Sequence, residues 1–195
     1  RRGRPSSVPH RPRERHARAH PVHVTLRARR GLPPLREGVL FRAVRERIAA
    51  ASRDAFRVVH FSVQNDHVHL VVEAEDARAL SRGVQGLAIR VARGVHGLLR
   101  TRGRLWADRF HSRELRTPCL VRNAIVYVLM NVKKHGVLGS VGVDALSSVL
   151  WFDGFVRRVV VRGDCLVWLL CMWFVAIGWR RHGLVRVDEQ SRAPS

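Results

Sequence analysis

The sequence predicts a mixed α+β fold in which an antiparallel sheet carries helices on one face. Three observations lead to this prediction. Short segments with a two-residue apolar repeat are interspersed with longer segments whose apolar residues recur every three or four positions. The turn-forming dipeptide Asn65–Asp66 joins two of the short segments. The length of 195 residues suffices for one sizeable core, but hardly for two large ones.

The first half of the predicted fold consists of a strand, a helix and a hairpin. Residues 22–27 alternate between apolar and polar side chains, as a half-buried strand does. Residues 36–55 are typical of an amphipathic helix, and residues 56–64 and 67–74 of the two hairpin strands. The residues expected to face the core are Val39, Leu40, Val44, Ile48 and Ala51 in the helix, Val59, Phe61 and Val63 in the first hairpin strand, and Val68, Leu70 and Val72 in the second.

The second half is expected to contain a long helix, a strand and a final helix. Residues 76–100 begin with a capping Asp76, and residues 103–116 suit a strand. Thr117–Pro118 is typical of a helix start, and Gly136 of a helix stop. The apolar positions of the long helix are Leu80, Val84, Leu87, Val91, Val95 and Leu98, although four glycines weaken this prediction. The element order is that of a ferredoxin-like (RRM-like) α+β sandwich with an added C-terminal helix.

Two histidines share one face of the second hairpin strand. Because side chains alternate along a strand, His67 and His69 point away from the core-facing valines, and two such imidazoles can share a metal ion. Taken alone, such a pair is more often a surface or half-buried pair without a ligand. The single tyrosine of the chain, Tyr127, favours a functional interpretation. It lies in the added C-terminal helix, and Asn131 follows it by one turn on the same face.

The composition indicates nucleic acid as a partner. Lys and Arg total 36 against 15 acidic residues, which gives a net charge of +21, and Lys133 and Lys134 are the only lysines. Arginine binds phosphate oxygens with two parallel hydrogen bonds and stacks on bases. A preference for arginine over lysine also follows from a GC-rich genome. The excess of basic over acidic residues is therefore the better signal.

These residues resemble the HUH-type (His-hydrophobic-His) single-tyrosine transposases, in particular the REP-associated tyrosine transposases related to the insertion-sequence-200 group. The resemblance runs from about Val22 to Gly136. It is carried by four segments in the order that the family shows: Pro-Val-His-Val-Thr-Leu-Arg at 21–27, Asn-Asp-His-Val-His-Leu-Val-Val at 65–72, Leu-Trp-Ala-Asp-Arg-Phe-His at 105–111, and Arg-Asn-Ala-Ile-Val-Tyr-Val-Leu-Met-Asn at 122–131.

The resemblance implies an enzyme that cuts and rejoins DNA. In such transposases the histidine pair, here His67 and His69, holds a divalent cation, for which Mg²⁺ and Mn²⁺ are the candidates. Tyr127 would attack a phosphodiester and form a 5′-phosphotyrosine link while a 3′-hydroxyl leaves, and Asn131 is the candidate third ligand. The resemblance also implies single-stranded DNA with palindromic hairpin repeats as the substrate, and either a monomer or a homodimer.

Further basic residues are candidates for DNA contacts. Arg109, His111 and Arg113 lie near the fourth strand, and Lys133 and Lys134 follow the tyrosine. General surface charge is an equally good explanation for the first three. Two nearby aromatic residues are expected in the core rather than as platforms for stacked bases, namely Trp106 and Phe110.

The chain is expected to divide into three parts. Residues 1–21 form a basic, Pro-rich arm that either tracks a DNA backbone or is a solvated tail. Residues 22–136 form the catalytic domain. Residues 137–195 form an extension with an apolar helix near 165–179, which packs on the main domain or across a dimer interface. A membrane-spanning helix needs about 20 apolar residues, more than this run offers, so no membrane partner is expected.

The cysteines and the N-terminal composition bear on localisation. Cys119, Cys165 and Cys171 are odd in number and have no CxxC spacing, which argues against a disulfide framework and a cysteine zinc site. Residues 1–30 are charged throughout, so no signal peptide is expected. A bacterial cytoplasmic protein associated with the nucleoid fits best. The alternatives are a non-catalytic nucleic-acid-binding protein derived from a transposase and a membrane-associated protein anchored through residues 165–179.

Overall fold

The computed structural model describes residues 20–130, 144–156 and 173–189 of the chain. Two short 3-10 helices, Ser148–Trp151 and Gly178–His182, lie in the C-terminal part. The strands and α-helices of the described residues are, in chain order, β1 (Val22–Arg27), α1 (Gly38–Ala49), β2 (Phe56–Val63), β3 (His67–Ala74), α2 (Ala77–Leu99), β4 (His111–Glu114), α3 (Pro118–Met130) and α4 (Trp173–Ala176).

The four strands form one antiparallel sheet in the order β2-β3-β1-β4. The connections β1-α1-β2 and β3-α2-β4 place β1 and β3 in the centre and β2 and β4 at the edges. This is the ferredoxin-like arrangement, so the predicted fold class is confirmed. The predicted Asp76 cap is present as well, since its carboxylate accepts a hydrogen bond from the backbone N–H of Ala79 at 2.6 Å.

Helices α1 and α2 cover one face of the sheet and enclose the first core. In the central strands this core contains Val24, Leu70 and Val72, none of which is exposed. Gly83 of α2 lies directly on the ring of Phe56, and a Cβ atom at this position would overlap that ring. The glycines of α2 therefore do not break the helix, and at Gly83 the missing side chain permits close packing against β2.

Helix α3 packs on the opposite face of the sheet and encloses the second core together with the C-terminal segments. Val59 and Val71 contribute from the sheet, Phe155 from residues 144–156, and Trp179 from residues 173–189. The added helix is thus separated by the sheet from the two helices of the ferredoxin-like unit. The C-terminal segments complete the apolar surroundings of the helix that carries Tyr127.

Several sequence predictions differ from the structure in detail. The first core was predicted to include Val59, but a register shift between Val58 and His60 turns Val59 into the second core. Val39 and Leu98 were also predicted to be buried and are 53% and 49% exposed; each lies one residue from the end of its helix.

The predicted bounds of α1 and β4 also need correction. Helix α1 ends at Ala49, because the chain then turns towards β2 and the Ser52 hydroxyl accepts a hydrogen bond from the Val58 N–H at 2.9 Å. Strand β4 is confined to His111–Glu114. Trp106 precedes it and donates its indole N–H to the carbonyl of Ala88 in α2 at 3.0 Å. Trp106 packs against the first core, as does Phe110, in agreement with the prediction.

Ion pairs connect the C-terminal segments to the loop before α1 and to α3. Arg36 binds both carboxylate oxygens of Asp144, at 3.0 and 2.8 Å, and Arg122 of α3 binds both carboxylate oxygens of Glu189, at 2.6 and 2.9 Å. The predicted basic arm lies outside the described residues except for its last two positions, and so does most of the predicted apolar helix near 165–179. No helix in the described part of the chain is long and apolar enough to cross a membrane.

Candidate active site

The register of β1 and β3 assembles a row of polar side chains on the sheet face that packs against α3, which we call the site face. Thr25 lies directly opposite His69, and Arg27 lies opposite His67. Their neighbours Val24, Leu26 and Val68 point into the first core. The two-residue period of each strand therefore separates apolar and polar side chains onto opposite faces, as predicted for β3.

The two predicted ligand histidines lie side by side with nearly parallel rings. The ring centroids of His67 and His69 are 5.9 Å apart, with an interplanar angle of 5°. His67 Nδ1 lies 2.7 Å from a carboxylate oxygen of Asp66, and His69 Nδ1 lies 3.2 Å from the hydroxyl oxygen of Thr25. When Nδ1 of a histidine donates to such an oxygen, Nε2 is left with a lone pair for a ligand. The donor set fits a divalent cation held by the two Nε2 atoms.

A third ligand does not come from the usual side chains of the described residues. Among them, no group of three or more His, Cys, Asp or Glu side chains is arranged to hold a metal ion. The amide of Asn131, which was predicted as the third ligand, lies outside the described residues, as do Lys133 and Lys134. The predicted cation site would therefore consist of the histidine pair, with Asn131 as its predicted third ligand.

Tyr127 lies against the histidines. Its ring centroid is 5.2 Å from that of His69, and the two rings meet edge to face at 83°. The side chain is half-buried, and this loss of solvation raises the pKa of its phenol above the usual value of 10.0. The phenol is thus protonated at neutral pH, and a phenol must lose its proton to attack as a nucleophile. The structure thus brings together Tyr127 and the histidine pair, as the sequence predicted.

His23 is a third histidine in this site, and the sequence analysis assigned it no role. Its ring lies 5.6 Å from those of both His69 and Tyr127, stacked on the first and edge to face with the second. Burial, and then the positive charge of Arg113, lower the pKa of His23 to about 4. The signal was present in the sequence, because His23 and Thr25 alternate with valines in β1. The pairing of β1 with β3 was the missing information.

The predicted DNA contacts of β4 lie beside this site. His111 is opposite Thr25 and Arg113 is opposite His23, so both side chains are on the site face. Arg109 and Arg113 also line a cavity of about 680 Å³ at the free edge of β4. The structure thus places the candidate DNA-binding residues of β4 next to the histidine row.

Comparison with known proteins agrees with this architecture. The sequence pattern of the family described as IS200-like transposases matches residues 21–118, half of the chain. The match includes the histidine pair and ends just inside α3, before Tyr127. No curated protein sequence matches the chain.

A solved structure shares the fold of this chain. It is that of a REP-associated tyrosine transposase bound to a REP hairpin, with a TM-score of 0.62 and 17% sequence identity. The alignment covers 81% of this chain and 93% of the other, well beyond the residues that the family pattern matches. By its sequence pattern, and in agreement with its fold, the chain belongs to the IS200-like transposase family.

Proposed function

We propose that this protein cleaves and rejoins single-stranded DNA at hairpins formed by palindromic repeats, through a 5′-phosphotyrosine intermediate. Tyr127 is the nucleophile, and His67 and His69 hold a divalent cation together with Asn131. The observation that carries the proposal is the 5.2 Å contact between the rings of Tyr127 and His69. The tyrosine of α3 and the histidine pair of β3 are distant in sequence, yet they meet on one face of the sheet.

The chemistry assigns a separate task to each side chain. In cleavage, Tyr127 Oη loses its proton and bonds to phosphorus, the bond from phosphorus to the 3′-oxygen breaks, and that oxygen leaves as a hydroxyl after gaining a proton. Rejoining is the same transfer in reverse, with a 3′-hydroxyl as the attacking group. A bound Mg²⁺ or Mn²⁺ would neutralise charge on the phosphate oxygens. Asp66 and Thr25 orient the imidazoles through their Nδ1 atoms.

The polar site face also fits a DNA strand. The exposed His111 and the half-buried Arg113 lie beside the histidine row. Arg109, which precedes β4 in the chain, lines the cavity at the edge of the sheet. We assign to these residues, and to Lys133 and Lys134, contacts with DNA phosphates. The related transposase whose structure is known is bound to a REP hairpin. A hairpin of this kind is therefore the substrate class proposed for this chain.

The decisive experiment is an assay for a covalent protein–DNA adduct on a denaturing gel. The full chain is incubated with Mn²⁺ or Mg²⁺ and with single-stranded hairpin oligonucleotides from the repeats that flank its gene. An adduct is expected with the unaltered protein, but neither with Tyr127→Phe nor after chelation of the metal. The phenylalanine keeps the ring that packs on His69 and removes only the attacking oxygen, so it is a matched control for folding.

The outcome also decides between catalysis and binding alone. If Tyr127→Phe binds the hairpin as tightly as the unaltered protein, the loss of the adduct reports the chemistry. If the unaltered protein binds several hairpins tightly and yields no adduct with either metal, the proposal of cleavage is wrong. The protein is then a nucleic-acid-binding member of the family.

A further inference from the structure

Two buried nitrogen atoms beside the proposed nucleophile lack a hydrogen-bond partner among the described residues. They are Nε2 of His23 and Nη1 of Arg113. A buried polar nitrogen without a partner costs folding free energy, and the cost is larger for a charged group. Such atoms are explained when a ligand satisfies them in the working state of the protein. Both residues are therefore candidates for contacts with a bound anion.

The two residues are direct neighbours. His23 of β1 and Arg113 of β4 form a cross-strand pair, so their side chains leave the sheet on the same face. His23 also contacts the rings of Tyr127 and His69. The unpartnered nitrogen of Arg113 therefore lies one strand further from the proposed cation site than His23, on the side towards the free edge of β4.

A cavity lies at the free edge of β4, and Arg113 is one of its lining residues. It has a volume of about 680 Å³, and its lining includes Arg109, Arg113 and Arg116 together with the hydroxyl groups of Ser81 and Ser112. The guanidinium of Arg113 at this edge suits a phosphate group, because its N–H groups donate to phosphate oxygens. A cavity of this size also leaves room for the attached nucleotide.

One carboxylate also lines the cavity, but it is engaged elsewhere. Glu114 accepts a hydrogen bond from Arg116 at 2.8 Å and lies 3.4 Å from Nδ1 of His20. Because Ser112 and Glu114 flank Arg113 in the strand, both of their side chains leave on the opposite face of the sheet. Glu114 therefore offsets the charge of Arg116, while the guanidinium of Arg113 is left to attract an anion.

We infer that His23 and Arg113 together bind one phosphate of the DNA strand, next to the phosphate that Tyr127 attacks. This inference rests on the proposed function for the identity of the ligand. It adds a specific path for the strand, from the histidine row across β1 to Arg113 at the edge of the sheet. The site would hold the strand in register, so that a single phosphodiester faces the tyrosine.

The test is a scan with methylphosphonate linkages, which replace one charged phosphate at a time with a neutral group. Binding of each oligonucleotide is measured in the Tyr127→Phe background, where no adduct can form. At one position next to the cleaved bond, the neutral linkage is expected to weaken binding about tenfold. Adding Arg113→Gln or His23→Phe should weaken binding of the unmodified strand and remove the sensitivity at that same position.

Two further variants keep the test independent of folding defects. Arg113→Lys retains the charge but loses the paired N–H groups, so an intermediate sensitivity is expected. Arg57→Gln removes a charge from β2, at the opposite edge of the sheet, and should leave the methylphosphonate pattern unchanged.

Arg113→Gln should also reduce the dependence of the logarithm of affinity on the logarithm of salt concentration by about 0.7.

The inference is overturned if either Arg113→Gln or His23→Phe remains as sensitive to each methylphosphonate as the parent protein. This outcome differs from a failure of the proposed function. Methylphosphonate sensitivity is a binding measurement, whereas the proposed cleavage is judged by the adduct. If the adduct forms but neither variant removes the sensitivity at any position, cleavage stands and the phosphate site is wrong. If the variants remove the sensitivity at one position but no adduct forms, the phosphate site stands and cleavage is wrong.

Discussion

The two faces of the sheet are built from the same strands, yet they do different work. Towards α1 and α2, the central strands present Val24, Leu70 and Val72, all fully buried. Towards α3, the same strands present His23 and His69, both buried, and the half-buried His67. Apolar burial stabilises the fold on the first face. On the second face, buried nitrogen atoms cost stability, and we propose that they serve as ligands.

This difference shows how a small sheet carries a row of polar side chains without losing its core. Since adjacent residues in a strand point to opposite faces, His23 and His69 each lie between two core residues in sequence. His69, for example, is flanked by Val68 and Leu70, and both are buried in the first core. The apolar face thus fixes the position of the backbone from which the polar side chains project.

The largest expected effect separates the two faces by stability. Leu70→Ala should lower the free energy of unfolding by about 2–5 kcal/mol, because it leaves a cavity in the first core. His67→Ala, three residues earlier in the same strand, should lower it by less than about 1 kcal/mol, because this side chain is partly exposed. Urea unfolding of the two full-length variants measures both values.

In the adduct assay, His67→Ala should have the larger effect and Leu70→Ala the smaller one. His67→Ala is expected to lose the adduct while remaining folded, since it removes one of the two proposed nitrogen ligands. Leu70→Ala should retain adduct formation at temperatures where it is still folded. Equal losses of stability in the two variants would contradict the division of labour between the faces.

Much of this division could be predicted from the sequence, because it depends on local periodicity. The alternation in β3 places His67 and His69 opposite the core residues, and the spacing in α2 identifies its buried stripe. The helical pattern of α3 likewise predicts that Tyr127 lies in a helix. Features of this kind require only the period of a strand or a helix.

The remainder depends on contacts between distant residues, which periodicity does not encode. Val59 was assigned to the wrong core because the register shift beside it arises from the pairing of β2 with β3. His23 was missed because its neighbours, His69 and Arg113, come from two other strands. The partnership of α3 with Trp179 likewise becomes visible only when the C-terminal segments fold back onto the helix.

The next largest effect is a decrease of about 3 kcal/mol in the free energy of unfolding at low pH, caused by a buried histidine on the α3 face. His60 of β2 is fully buried against Phe152 and Ser148. Burial lowers its pKa from 6.5 to about 4, although Asp153 acts in the opposite sense. The unfolded chain then binds the proton more readily than the folded chain, so stability is present above pH 6.5 and falls as the pH drops towards 4.

The contribution of His60 can be isolated by replacing it with an apolar residue. In His60→Leu, the free energy of unfolding should fall less between pH 6.5 and pH 4 than in the unaltered protein. About 3 kcal/mol of the decrease should disappear, while the similar contribution of His23 persists. Urea unfolding at several pH values measures this difference. An unchanged pH dependence would show that His60 is not buried in its neutral form.

The smallest expected effect concerns how the α3 face is held together. Arg122 of α3 binds the carboxylate of Glu189 at 2.6 Å and also donates to the carbonyl oxygens of Gly183 and Leu184. Burial alone would raise the pKa of Glu189, but its hydrogen bonds from Arg122 and Arg186 lower it overall. A double-mutant cycle with Arg122→Gln and Glu189→Gln should give a coupling free energy of about 1 kcal/mol.

The sign and size of this coupling decide what anchors the C-terminal segment beneath the tyrosine helix. A value near 1 kcal/mol would show that the ion pair adds to the apolar packing of Trp179 and Phe155 in the second core. A value near zero would assign the attachment to that packing and to the hydrogen bonds that Arg122 donates to the backbone. The α3 face would then rely on buried apolar surface to position Tyr127, just as the opposite face relies on it to position the strands.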